Sequence, residues 1–259
     1  ETRLLVARHG ARANNVTSYL KIAALVLFVV AGLATGRGEV ARLATSDLGS
    51  NAISFSAFGL ALSPVLFSYL GWNASVYVAS EIHDPARNVP RSLFVGLAFV
   101  IAIYLAVNAL YLYAMPLSEL RQSANAGEGT AAALFGPLSG TLVALLVLIS
   151  ILGTLNATIL VTPRIAYAMA LDGLFFAGVD RVHDTHKTPA TAIAVLAATS
   201  LALVVLLQSF PSVLDYTTFA IVLATIAETA ALYALHRKAP DRPRPYRAWG
   251  YPLVPALYI

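Results

Sequence analysis

Few residues in the long apolar stretches of this sequence could do chemistry. Lys21, Asp215 and Glu228 are the charged side chains within these stretches, Arg164 lies near the end of one, and the stretches contain no histidine or cysteine. A catalytic site needs a nucleophile or a metal beside a positioned base, and these residues do not provide that set at one depth. The polar sequence HDTH at residues 183–186 lacks a supporting cluster of metal ligands. The sequence therefore predicts no enzyme, no metal site and no cofactor.

A polar interruption lies in the middle of the second apolar stretch, where Gly71 is followed by Trp72 and Asn73. Glycine weakens a helix by about 1 kcal/mol relative to alanine, and a break inside a membrane is tolerated only where it faces protein or a watery cavity. Carbonyl groups freed near residues 67–70 could then accept from an ammonium group, and the N–H groups that follow would carry a partial positive charge. The residues alone leave open a continuous helix in which Gly71 packs against a neighbour.

The composition indicates a membrane protein. Of 259 residues, 58% are hydrophobic and 12% are charged, whereas a soluble domain has about 25% charged residues. A bilayer core of about 30 Å requires about 20 apolar residues in a helix. Six stretches reach or nearly reach that length, and a seventh begins near Gly250. The six are residues 16–36, 53–80, 92–115, 134–169, 190–208 and 213–235.

The basic residues predict the orientation of these stretches. Fourteen of the 17 lysines and arginines fall on one set of alternate connections, and three fall on the other set. Because positive residues are retained on the cytoplasmic side, residues 16–36 are predicted to cross outward and residues 213–235 to return to the cytoplasm. The three basic residues on the predicted outer side are Arg37, Arg42 and Arg121.

Three ordered motifs resemble the amino acid/polyamine/organocation (APC) permeases. FSYLGWNASVYVASEIHDPARNVPRSL is similar to the sixth span of that superfamily. GTLNATILVTPRIAYAMALDGLFFAGVDRVHDTHKTPATAI resembles its eighth span, and LHRKAPDRPRPYRAWGYPLVP resembles the link between spans ten and eleven. The resemblance covers nearly the whole chain.

The resemblance implies an all-α integral membrane fold built from five-plus-five inverted repeats, each of which begins with a discontinuous helix. Residues 1–259 would then form a single membrane domain that is a fragment of this fold. Residues 16–36 correspond to span five, residues 53–235 to the second repeat with its discontinuous span six, and residues 250–259 to the start of span eleven. The N-terminal repeat of the same chain would be the missing partner.

The function that the resemblance implies is secondary active transport of amino acids by alternating access in a multi-pass protein of the bacterial inner membrane. The expected partners are an amino acid substrate, the lipid bilayer and either protons or an exchanged substrate, and no nucleic acid. A cationic amino acid or polyamine exchanger is an alternative that would require an acid near the break, for which Glu228 is the candidate. A non-transporting scaffold or an inactive remnant is a further alternative.

The resemblance also implies a substrate-binding segment. Phe67 corresponds to the aromatic residue that covers the substrate, and Leu70 stands where glycine or aspartate is frequent. The segment contains no charge, which favours a neutral amino acid. Its residues are Phe67, Ser68, Tyr69, Leu70, Gly71 and Trp72.

Lys21 corresponds to a lysine of proton-coupled or sodium-independent members, in which its ammonium group occupies the place of a sodium ion. Because burial disfavours the charged form of an amine, protonation could be linked to conformation; alternatively, Lys21 extends to the membrane interface. Thr154 and Asn156 are its expected polar neighbours, or they form interhelical hydrogen bonds. Glu228 is a candidate proton carrier, or it is a protonated or paired acid.

Overall fold

The computed structural model describes residues 2–44, 54–77, 79, 82–123, 125–183, 188–241, 244, 246, 248 and 250–258. Within these ranges the chain forms eleven α-helices, a 3₁₀-helix at Val40–Leu43 and no β-strand. The α-helices are α1 (Thr2–Ala34), α2 (Phe55–Ser68), α3 (Ala74–Tyr77), α4 (Pro85–Ala114), α5 (Leu117–Gln122), α6 (Ala126–Phe135), α7 (Pro137–Val161), α8 (Pro163–Leu171), α9 (Ala190–Leu207), α10 (Phe210–Lys238) and α11 (Leu253–Tyr258).

Five helical segments in the described ranges are long and apolar enough to cross a membrane, judged by their length and composition. A sixth apolar helix, α2, has only 14 residues. The prediction of an all-α integral membrane protein is therefore confirmed. The five segments are Asn15–Ala34, Pro85–Ala114, Pro137–Leu171, Ala190–Leu207 and Phe210–Lys238.

Each of the six predicted stretches overlaps a helix in the same order, although α2 is shorter than a membrane span and the ends differ. α4 begins at Pro85, seven residues before the predicted stretch, because proline is favoured at the first position of a helix. The fourth predicted stretch begins in α6, whereas the structure places Gly136 between α6 and α7 with a φ of 99°. Glycine reaches this backbone region without steric strain, so the apolar run is divided there.

The chain divides into two compact units. The first unit comprises Glu1–Asn51 and Gly96–Leu160, and the second comprises Ala52–Val95 and Val161–Ile259. In the first unit, Leu110 and Leu134 are fully buried and Phe28 packs against them.

Two arginines of the first unit bind the carboxyl ends of helices. Arg37 donates to the Leu134 carbonyl at 3.0 Å, in the last turn of α6, and Arg42 donates to the Ala114 carbonyl at 3.1 Å, at the end of α4. The last four carbonyls of a helix have no partner within the helix, and cations there also complement the helix dipole. Both arginines lie on the predicted outer side, and they bind carbonyl groups that have no partner within their own helices.

In the second unit, α2 packs against α10, and α9 contacts both α8 and α10. A small core forms where Val179 packs with Ala166 and Ala192, at the contact of α8 and α9. The second unit therefore contains the short helix α2 and the neighbouring helix that supports it.

Gly38 permits a close contact with the end of α4. A Cβ atom at Gly38 would meet the ring and the carbonyl oxygen of Tyr113 too closely for both to stay in place. We expect Gly38→Ala to lower the thermal unfolding midpoint of the purified protein, because overpacking costs about 1–3 kcal/mol. Gly96→Ala is the matched control, since nothing lies within 4 Å of the added Cβ. Equal unfolding midpoints for the two variants would contradict the contact.

Candidate functional site

The second predicted stretch is interrupted where the sequence analysis placed a break. Helix α2 ends at Ser68, and the next helix, α3, begins at Ala74. The N–H of Tyr69 donates to the Leu66 carbonyl at 3.2 Å, and that of Leu70 donates to the Phe67 carbonyl at 3.1 Å. Bonds to the residue three positions earlier close the last turn of a helix. A continuous α-helix through this point is therefore excluded.

The backbone at Gly71 explains why the helix does not continue. Pro64 lies inside α2, where it disturbs the preceding turn, but the helix continues past it to Ser68. Gly71 has a φ of 102°, a backbone conformation that side chains with a Cβ rarely adopt. A Cβ built at Gly71 would meet nothing within 4 Å. The requirement for glycine is therefore conformational, and the alternative that Gly71 packs against a neighbour is wrong for the described residues.

The carbonyl groups of the break differ in their hydrogen bonding. The Phe67 carbonyl accepts from Leu70, and the Gly71 carbonyl accepts from Ala74 at 3.1 Å. Within the described part of the chain, no hydrogen bond reaches the Leu70 carbonyl. The Leu70 carbonyl is thus an available acceptor at the break, whereas the Phe67 carbonyl is already used.

The side chains of the segment differ in their surroundings. Phe67, Tyr69 and Leu70 are half-buried, whereas Trp72 is 48% exposed. The Ser68 hydroxyl donates to the Val65 carbonyl at 2.7 Å, so it is bonded within its own helix. Helix α3 has four residues, which is too short to support the expected contribution of a helix dipole.

In the first unit, the ammonium group of Lys21 bridges two helices. Its Nζ donates to the Thr154 hydroxyl on α7 at 2.9 Å, and that hydroxyl donates to the Ser150 carbonyl at 3.0 Å. A Cβ atom at Gly153 would lie 3.4 Å from the Lys21 Nζ. The sequence analysis identified Thr154 but missed Gly153, whose missing side chain allows α1 to approach α7.

Asn156 and Glu228 have no such partner. Asn156 follows Thr154 by two residues on α7, or about 200° around the helix axis, and its side chain is exposed. Glu228 is exposed on α10. Among the residues that the structure describes, neither side chain makes a hydrogen bond or an ion pair.

A polar contact that the sequence analysis missed joins α2 to α10. The Ser63 hydroxyl donates to the Asp215 carboxylate at 2.8 Å. The sequence shows Asp215 as a charge in an apolar stretch, but sequence separation gives no signal that Ser63 lies beside it. Ser63 and Phe67 are half-buried and share one side of α2, since residues four apart lie on one helix face. Leu70 is also half-buried and follows the end of the helix at Ser68.

Comparisons with known proteins agree with the resemblance. The family model described as "Amino acid permease" matches residues 3–259. The chain is 30% identical over 260 residues to the serine/threonine exchanger SteT of Bacillus subtilis (strain 168), which covers 99% of this chain and 58% of that protein. It is 28% identical over 190 residues to the human b(0,+)-type amino acid transporter 1, covering 73% of this chain and 39% of that protein.

It is also 26% identical over 255 residues to the human large neutral amino acids transporter small subunit 2, with 97% of this chain and 47% of that protein covered. The chain therefore spans about half the length of the curated relatives it matches.

The backbone at the break should depend on glycine at position 71. We expect Gly71→Ala to lower the thermal unfolding midpoint, because an alanine in this conformation stores about 1–3 kcal/mol of strain. Gly59→Ala is the matched control, since its added Cβ would also meet nothing within 4 Å while Gly59 lies inside α2. Equal shifts in the two variants would contradict a conformational requirement.

Proposed function

The chain belongs to the amino acid permease family, and from this premise we propose that it moves amino acids across the membrane by alternating access, with the substrate held at the break in α2. The family and the relatives are transporters rather than enzymes. The observation that carries the proposal is the Leu70 carbonyl, which accepts no hydrogen bond within the described residues. In an apolar environment an unpaired backbone carbonyl is costly, so a ligand donor satisfies it.

The α-ammonium group of an amino acid is the donor that fits this carbonyl. Hydrogen bonds from a cationic donor are about twice as strong as those between neutral groups. Phe67 lies one helical turn before the Leu70 carbonyl, and its half-buried ring would cover the bound amino acid. The resemblance implies that a second discontinuous span would hold the substrate carboxylate.

The segment favours neutral amino acids as one class of substrate. Residues 67–72 contain no charge, and the Leu70 side chain is apolar. Two of the relatives are named for serine/threonine and for large neutral amino acids, which supports this class. An exchanger among the relatives also supports exchange as the mode of coupling, and its bacterial source supports a place in a bacterial inner membrane.

Lys21 would contribute to coupling through the helices that it joins. A charged ammonium group can hold α1 to α7 through Thr154, whereas a neutral amine forms a weaker hydrogen bond. Loss of the proton would therefore favour separation of the two helices, which links proton binding to conformation. Asn156 and Glu228, which have no partner among the described residues, remain predictions as coupling residues.

Uptake by the full-length gene product in proteoliposomes tests the proposed function. A panel of radiolabelled amino acids should identify neutral substrates, and Phe67→Ala and Gly71→Leu should each reduce uptake by at least about tenfold, since remodelling the break removes substrate contacts. Gly59→Leu is the control for a bulkier side chain in α2, and it should insert and transport. Wild-type uptake in both break variants would contradict the site, and no uptake of any amino acid would favour a scaffold or remnant.

The role of Lys21 predicts a change in pH dependence. Lys21→Ala should flatten the profile of uptake against external pH, because the variant lacks the ammonium group that joins α1 to α7. Thr154→Val keeps the amine and removes its acceptor, so this variant should alter the profile less than Lys21→Ala does. A profile in Lys21→Ala identical to that of the wild type would remove the coupling role.

A further inference from the structure

A carboxylate lies beside the broken helix on the predicted outer side of the break. Asp215 follows the first residue of α10, Phe210, by five residues, which is about 8 Å along the helix axis. It accepts a hydrogen bond of 2.8 Å from Ser63, four residues before Phe67 on the same side of α2. Asp215 therefore lies next to the face of α2 that includes the substrate-binding segment.

This carboxylate has no positive partner among the described residues. The ion pair formed within them joins Arg42 to Glu39, and Asp215 makes no further contact of this kind. A carboxylate in a membrane span is costly unless it is paired, and the neutral Ser63 hydroxyl does not compensate its charge. The Asp215 carboxylate thus favours the binding of a cation.

Thr218 provides a second polar atom next to Asp215. It is three residues further along α10, on the same side of the helix, and 5% exposed. Its buried hydroxyl has no hydrogen-bond partner in the structure. By contrast, the hydroxyls of Thr225 and Thr229 on the same helix donate to carbonyls four residues earlier, at 2.7 and 2.8 Å.

The Thr218 hydroxyl therefore differs from those of Thr225 and Thr229 in that it can still bond to another partner. A helical threonine can satisfy its hydroxyl by bonding to its own backbone, as Thr225 and Thr229 do. A buried hydroxyl without a partner costs free energy. Ser63, Asp215 and Thr218, which we term the Asp215 cluster, therefore combine one carboxylate and two hydroxyl groups beside the break.

We propose that the Asp215 cluster is a binding subsite for the positively charged side-chain end of a basic amino acid substrate. The inference rests on the proposed function, because the α-ammonium group of the same substrate occupies the Leu70 carbonyl. Phe67, whose ring would cover the bound amino acid, follows Ser63 by four residues in α2, which is about 6 Å along the helix. An extended basic side chain directed along this face of α2 brings its ammonium or guanidinium group to Asp215.

The sequence analysis named Glu228 as the acid that a basic substrate would require. In the proposed subsite, Asp215 takes this role. Glu228 follows Asp215 by 13 residues on α10, so it lies about 140° away around the helix axis. Asp215 is the acid hydrogen-bonded to α2, whereas Glu228 makes no polar contact within the described residues. The Asp215 cluster thus adds basic amino acids to the neutral class that residues 67–72 favour.

Competition between matched amino acids tests the Asp215 cluster in the full-length gene product. The measurement is the inhibition of uptake of a labelled neutral substrate by two matched pairs of competitors. Lysine is paired with norleucine and arginine with citrulline, and the second member of each pair lacks the side-chain charge. In the wild type, the basic member of each pair should inhibit at lower concentration. In Asp215→Asn, this preference should fall by about tenfold or more, as expected for loss of a charge-assisted hydrogen bond.

Four further variants separate charge recognition from damage to the fold. Asp215→Glu should restore part of the preference for basic amino acids, because it restores the carboxylate. Thr218→Val should weaken the preference, whereas Thr225→Val should not, since the Thr225 hydroxyl already bonds to its own helix. Asp241→Asn removes a carboxylate beyond the end of α10 and should leave the preference unchanged.

The outcomes distinguish the subsite from the proposed function. If Asp215→Asn takes up neutral amino acids and keeps the preference for basic competitors, the assignment of the Asp215 cluster is wrong and the proposed function is unaffected. Absence of all uptake overturns the proposed function, and binding of radiolabelled lysine to the purified protein, compared with Asp215→Asn, then decides the subsite alone. Uptake is also measured with sodium replaced by N-methyl-D-glucamine. A sodium dependence that disappears in Asp215→Asn assigns the cluster to the metal ion and overturns the substrate assignment.

Discussion

Backbone hydrogen bonding in hydrocarbon constrains every part of this protein. A peptide group in lipid has no water to bind, so each helix satisfies its own backbone except where it begins, ends or breaks. The end of α2 is an exception of this kind, because the positive φ at Gly71 interrupts the helical pattern. The Leu70 carbonyl accepts no hydrogen bond within the described residues, and the proposed binding of an amino acid follows from that acceptor.

The same constraint explains the basic residues at the predicted outer side. Arg37 and Arg42 donate to carbonyls at the ends of α6 and α4, which have no partner inside their helices. These arginines are exceptions to the cytoplasmic bias of positive charge, and their hydrogen bonds give a structural reason for the exceptions.

Two charged side chains within the spans, Lys21 and Asp215, each form a hydrogen bond with a hydroxyl group. Gly153 and Thr154 accompany Lys21 in one unit, and Ser63 accompanies Asp215 in the other. A hydroxyl can donate and accept at once, so Thr154 receives the ammonium group and still bonds to Ser150. Lone carboxylates such as Glu228 lack this support within the described residues.

The sequence by itself determined the membrane class and the order of the spans, and it predicted a break near Gly71 and Thr154 as a polar neighbour of Lys21. These depend on composition, on local backbone preference, or on motifs that resemble a known family, and each can be read along the chain. Only the tertiary structure decided that the Phe67 carbonyl is used while that of Leu70 is not, that α4 begins at Pro85, and that Ser63 meets Asp215. Such contacts join residues far apart in the sequence or depend on the geometry of a single turn. Hydrophobic periodicity does not predict which polar atoms meet, because lipid tails are as apolar as the side chains and apolar faces therefore do not select a particular neighbouring helix.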